Sequence, residues 1–159
     1  MSFQEYFVHR RHAEAVAAIR FDGADASTPA DGVLDALASS PRVVIAPSNP
    51  LISIDPVLAV PGIRDAVERR RADTVAVSPI VAGSALKGPA DRLLAELGHE
   101  ATVVGVARQY ASLASRLVID VADAELADAV AAEGMEPVVT ESIMSTPELA
   151  AALARTVLS

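Results

Sequence analysis

Short apolar runs recur along this chain, separated by stretches of helical spacing, and that alternation constrains the fold more than any other feature. Val16 to Phe21 (VAAIRF), Arg42 to Ala46 (RVVIA), Thr74 to Val77 (TVAV) and Leu117 to Val121 (LVIDV) read as strands, and Val138 and Val139 begin a last short one. RVVIA is continuous and β-branched, as a strand buried on both faces should be. Asp31 to Ala38 places Val33, Leu34 and Leu37 on one helical face. Ile63 to Arg71 is a short amphipathic helix with Pro61 before its start. Pro89 to Leu97 is a helix ended by Gly98, the residue best suited to a left-handed cap. Ala101 to Tyr110 and Asp123 to Ala132 are also helical, with Asp123 placed as the cap of the second. Ser145 to Leu158 closes the chain, with Ser145, Pro147 and Glu148 in capping-box order. The expected class is α/β, a parallel sheet with helices on its faces and ligands bound beyond the C-terminal ends of the strands.

A length of 159 residues fits one domain, and such a chain buries ~70% of its unfolded surface. The chain has no cysteine, which excludes a disulfide framework and a thiolate metal site. The start, MSFQEYFVHRRH, lacks the apolar core of a signal peptide. No apolar run reaches the ~18 residues a spanning helix needs. The net charge of −8 disfavours a nucleic-acid polymer as partner. A soluble, cytoplasmic protein is expected.

Two segments carry candidate chemistry. Pro47 to Gly62 (PSNPLISIDPVLAVPG) directly follows RVVIA, and its four prolines forbid a continuous helix. Ser48, Asn49 and Ser53 offer side-chain hydrogen bonds beside Pro50. The backbone amides of Leu51, Ile52 and Ser53 are candidates for a concave anion site, and the helix starting near Pro61 for an added dipole. The same residue types also build a rigid structural loop, so spacing alone leaves both readings open. Ser78 to Asp91 (SPIVAGSALKGPAD) follows the next strand. Gly83 and Gly88 permit close backbone approach, and Lys87, the only lysine, brings a point charge. Lys87 precedes Gly88, and Pro89 stands where a P-loop lysine would be, which rejects a Walker-type site. A phosphate contact from Lys87 survives that rejection, beside the alternative of a solvated surface lysine.

Glu5, His9 and His12 share one helical face, but they lack the HExxH order and have Arg10 and Arg11 between the histidines. A solvated helix surface is the better reading, and no metal ligand is assigned. Phe3, Tyr6 and Phe7 fit core packing better than stacking on a planar ring. Asp55 is a weak candidate for holding magnesium through water. With no GxSxG, no Gly-rich fingerprint and no cysteine, no nucleophile for covalent catalysis is visible and no catalytic residue is named.

FQEYFVHRR at 3–11, APSNPLISIDPVLAVPGIRDA at 46–66, VSPIVAGSALKGPADRLLAELG at 77–98, GVARQYASLASRLVID at 105–120 and ESIM at 141–144 form an ordered set of blocks. Together they resemble the 2-phospho-L-lactate transferases over essentially the whole chain. The resemblance implies a three-layer Rossmann-like parallel sheet, of which this chain would be the second half. Family members begin with a Gly-rich segment similar to GGTGGAK, which is absent here, so residues 1–159 are expected to be the C-terminal portion of the family's domain. The implied reaction moves a 2-phospholactyl (or enolpyruvyl phosphate) group from a guanosine diphospho-donor to the deazaflavin FO. It releases GMP, requires magnesium and belongs to coenzyme F420 biosynthesis. Ser48, Asn49, Pro50, Ser53, Lys87 and Gly88 would then form part of the nucleotide-phosphate cradle, with magnesium and deazaflavin ligands mostly in the other half. The chain alone is expected to be catalytically negligible, and a homo-oligomer is compatible with the resemblance. Two alternatives stand beside it: a non-catalytic nucleotide-sugar-binding module of a sister family, and a stand-alone structural α/β domain.

Overall fold

The computed structural model describes residues 1–86 and 88–159. Among the described residues six strands occur in chain order: β1 Val43–Ile45, β2 Thr74–Val77, β3 Ile80–Val81, β4 Ser84–Ala85, β5 Arg116–Asp120 and β6 Glu136–Thr140. The helices are α1 Val33–Ser39, α2 Asp55–Leu58, α3 Ile63–Arg69, α4 Ala90–Glu96, α5 Val103–Tyr110, α6 Ala127–Ala132 and α7 Pro147–Leu158. Strands β1, β2, β5 and β6 form one parallel sheet in that order, with Ile45 beside Ala76, Ala76 beside Leu117 and Leu117 beside Pro137. Strands β3 and β4 make a separate antiparallel hairpin.

Strand alternation sorts side chains between the two faces. Ile45, Ala76, Leu117 and Ile119 enter the larger core with Leu58, Ile63, Leu93, Val106 and Val130 of the helices that cover that face. Val75, Val77 and Val118 point the other way and meet Leu153 and Val157 of α7. The sheet is therefore helix-covered on both faces, the three-layer α/β arrangement that the alternation of runs predicts.

The expected strand at VAAIRF does not form: residues 16–21 run without ladder pairing. Val16 and Ile19 pack partly against the core, and the Val16 amide donates to the Glu96 carboxylate at 2.9 Å. An apolar run needs a neighbouring strand to become one, and here a carboxylate takes the amide instead. Helix ends also differ from expectation. Asp123 is not a cap: Asp120 caps a short 3₁₀ segment, Val121–Leu126, by accepting from Ala122 N, and α6 begins after it. Thr146, not Ser145, caps α7 by accepting from Leu149 N at 3.3 Å, which puts Glu148 at the second helical position, one residue short of a capping box. Gly98 does close α4 in the left-handed region, at φ +80°.

Candidate functional site

A cavity of about 690 Å³ opens beyond the C-terminal ends of β1, β2 and β6. Pro47, Ser48, Asn49, Ile52 and Ser53 form one wall, and Ser78 and Pro79 the floor. Leu86 and Gly88 through Ala90 form a second wall, Ser142 through Ser145 a third, and Phe7 closes one side. Ser48, Asn49, Ser53 and Gly88 thus meet in one space, although 35 to 40 residues separate the loop from the glycine in sequence. Pro50 is buried and does not line it. Lys87 lies outside the described residues.

Asn49 organises the first wall. A residue before proline is driven from helical to extended backbone, and Asn49 sits at φ −62°, ψ 120° before Pro50. That is the conformation of a helix N-cap. Its Oδ1 accepts from the amides of Leu51 at 2.9 Å and Ile52 at 3.3 Å, starting a π-helical turn at Pro50–Ile54. The Ser53 amide donates to the Asn49 carbonyl at 3.0 Å. This overturns the anion site expected from the amides of Leu51, Ile52 and Ser53, because all three are already bonded inside the loop. The helix beginning after Pro61 contributes nothing here either, since residues 61–64 do not line the cavity. What the loop does offer is the Asn49 amide nitrogen: Nδ2 is buried, has no hydrogen-bond partner, and belongs to a residue only 9% exposed that lines the cavity.

The other walls are tied down from the end of β5. Asp120, 5% exposed, accepts from Ser142 N at 2.8 Å, Ser142 Oγ at 3.0 Å and Ala122 N at 3.0 Å. Burial opposes its ionisation, but these three donors together outweigh that and hold the carboxyl below the ordinary aspartate value. Asp123, also buried, accepts from Ala82 N at 2.9 Å. Ala82 and Gly83 link β3 to β4 with φ of +49° and +74°, as a two-residue hairpin turn of the primed kind requires. The Asp123 bond steadies an alanine in a region that disfavours side chains.

Acid should therefore weaken the Asp120 clasp. A carboxylate whose folded pKa is depressed contributes stability that is complete above its unfolded value and is lost as pH falls through the folded one. Asp55 acts with the opposite sign, because burial raises its pKa more than the Arg64 guanidinium lowers it. The difference in melting temperature between wild type and Asp120→Asn should hold near neutrality and shrink below about pH 4. A difference unchanged across that range would show that the charge of Asp120 contributes nothing.

At the N-terminus, Tyr6 joins the core as expected of an aromatic there, with its hydroxyl accepting from Arg92 at 2.9 Å. Phe7 packs partly against the core, as expected, while also lining the cavity, and it stacks on the exposed Phe3 at 5.3 Å. Glu5 pairs with Arg10 at 3.0 Å, and the helical turn ends at His9, so His12, at φ +47°, does not share a helical face with Glu5 and His9. Asp55 pairs with Arg64 at 3.3 Å away from the cavity. Among the described residues no group of three or more histidines and carboxylates is placed to hold a metal, and no carboxylate lines the cavity. The described residues here do not fit a magnesium site by themselves.

Ser78 and Pro79 open the second candidate segment without being singled out in it, and Ser142 through Ser145 lie outside both candidate segments. Their signal was positional, since each segment directly follows a parallel strand. Ser78 spends its hydroxyl on the turn out of β2, donating to Ile80 O at 2.9 Å and accepting from Ile80 N at 3.1 Å.

An open parallel sheet with a cavity past its strand ends is the arrangement of a ligand-binding α/β domain. The family model for 2-phospho-L-lactate transferase CofD matches residues 1–157, and the chain belongs to that family. A phosphoenolpyruvate transferase of Kitasatospora aureofaciens is 42% identical over 158 residues, 99% of this chain and 49% of that protein. A phosphoenolpyruvate transferase of Mycolicibacterium smegmatis is 35% identical, over 96% of this chain and 47% of its own length. A 2-phospho-L-lactate transferase of Methanothermobacter thermautotrophicus is 40% identical over 126 residues, 79% of this chain and 40% of that protein. The chain spans about half the length of the curated relatives it matches. No helix among the described residues is long and apolar enough to cross a membrane.

Proposed function

We propose that the cavity is the nucleotide-phosphate half of a transferase site in coenzyme F420 biosynthesis. The full reaction moves a 2-phospholactyl or enolpyruvyl phosphate group from a guanosine diphospho-donor to the deazaflavin FO and releases GMP. The buried, unpartnered Asn49 Nδ2 in the cavity wall carries this reading, because a buried donor without an acceptor costs about 1–3 kcal/mol and is relieved by an anionic ligand. The lining supports it: Ser48, Ser53 and Ser145 are further hydroxyl donors, no carboxylate repels a phosphate, and Gly88 lets the backbone approach closely. Lys87, between cavity-lining Leu86 and Gly88 in sequence, is proposed as the cation that meets the diphosphate. The volume falls within the range of about 300–1,000 Å³ typical of small-molecule sites. Phosphoryl chemistry asks for positioning and charge neutralisation more than a nucleophile, which suits a site with neither cysteine nor serine elbow. Magnesium and the acceptor would be held by residues beyond this chain, because the cavity wall has no carboxylate to offer. The chain alone is accordingly expected to bind donor nucleotide without turnover.

Isothermal titration of the chain with GDP, with UDP-glucose as control, tests the proposal. GDP should bind at least about tenfold more tightly, a preference worth roughly 1.4 kcal/mol. Equal affinity would favour a nucleotide-sugar module, and no GDP binding would remove the nucleotide reading.

A further inference from the structure

Two of the cavity's three walls hang from one turn. The segment 142–145 follows the edge strand β6, and the hairpin β3–β4 that leads into Leu86 and Gly88 stands apart from the main sheet. Neither is held by ladder bonds of the central sheet at the cavity. Each is instead tied by one buried aspartate, Asp120 at the end of β5 to Ser142, and Asp123 in the 3₁₀ segment that follows it to Ala82. The strand β5 is the rigid reference, being interior to the sheet with Leu117, Val118 and Ile119 fully buried.

We infer that Asp120 and Asp123 are positioning residues that set the width of the cavity by anchoring its two loop walls to the central strand. This rests on the reading of the cavity as a nucleotide site. The two anchors differ in what they need. Asp123 accepts a single bond, from Ala82 N, so an asparagine oxygen replaces it. Asp120 uses both oxygens for three donors, so an asparagine must leave either the Ser142 amide or the Ala122 amide without an acceptor.

Amide hydrogen exchange followed by NMR on the whole chain reads the anchors directly. With Asp120→Asn, exchange at residues 141–145 should rise about tenfold or more while amides 117–119 stay protected. With Asp123→Ala the rise should fall on residues 82–85, and Asp123→Asn should restore protection there. GDP affinity should drop about tenfold for Asp120→Asn and for Asp123→Ala. Exchange that rises evenly across the sheet, or that does not change, would overturn the anchoring role. A wild-type chain that fails to bind GDP would sink the nucleotide reading, and the exchange pattern would still decide whether the anchors exist.

Discussion

Asn49→Asp should weaken GDP binding about ten- to a hundredfold while leaving the loop that carries it folded. The substitution separates the two jobs of this side chain. The carboxylate keeps an acceptor for the amides of Leu51 and Ile52, and aspartate is as good an N-cap as asparagine. It removes the unpartnered buried Nδ2 donor and puts a negative charge in its place. A hydrogen bond to a charged group is worth about 1.5–3 kcal/mol, which sets the size of the loss before any repulsion of phosphate is added. Asn49→Ala is the structural comparison. It deletes the cap as well, leaves two amides unpaired, and should cost about 1–2 kcal/mol of stability. Titration beside a melting curve reads both effects. Undiminished GDP affinity in Asn49→Asp would take Asn49 out of the ligand site and leave it as a loop cap.

Gly105→Ala should destabilise the chain by about 1–3 kcal/mol, the reverse of what helix propensity alone implies. Gly105 sits in the first turn of α5, where its amide donates to the Thr102 cap at 3.2 Å. In an exposed helix interior, glycine to alanine gains about 1 kcal/mol. Here a β-carbon would lie 1.9 Å from the Glu100 carbonyl oxygen and 2.8 Å from its carbon. Those are backbone atoms, so relief means moving the entry into α5 and not rotating a side chain. Val103, Val106 and Ala107 of the same helix are fully buried against the sheet, which leaves little room to shift. Urea unfolding of Gly105→Ala measures the sign, and a midpoint higher than wild type would show that the close approach to Glu100 relaxes at no cost.

The strands RVVIA, TVAV and LVIDV, most of the helices and the Gly98 cap were legible in the sequence, although β1 lies at the sheet edge with Val44 exposed and is not buried on both faces. Each depends on local spacing: β-branched runs of strand length, apolar residues at helical intervals, a glycine at a helix end. Parallel order followed from the alternation itself, because helical crossovers join parallel neighbours. The location of a cavity past the strand ends followed from the same rule, and the loop after RVVIA does line it.

The rest depended on partners far apart in the chain. VAAIRF has the composition of a strand, but whether it pairs is decided by what lies beside it, and the Glu96 carboxylate takes the amide of Val16. The amides of Leu51, Ile52 and Ser53 look free in sequence, and only the folded loop shows them bonded to Asn49. Asp120 and Asp123 read as a strand end and a helix cap, but their oxygens reach Ser142 and Ala82, 22 and 41 residues away. The sequence by itself determined most of the strand and helix segments, since short-range sterics and burial periodicity act within a few residues. Tertiary structure alone decided which polar groups are satisfied and which, Asn49 Nδ2 among them, are buried without a partner, because hydrogen bonds form between whatever groups the fold brings within about 3 Å.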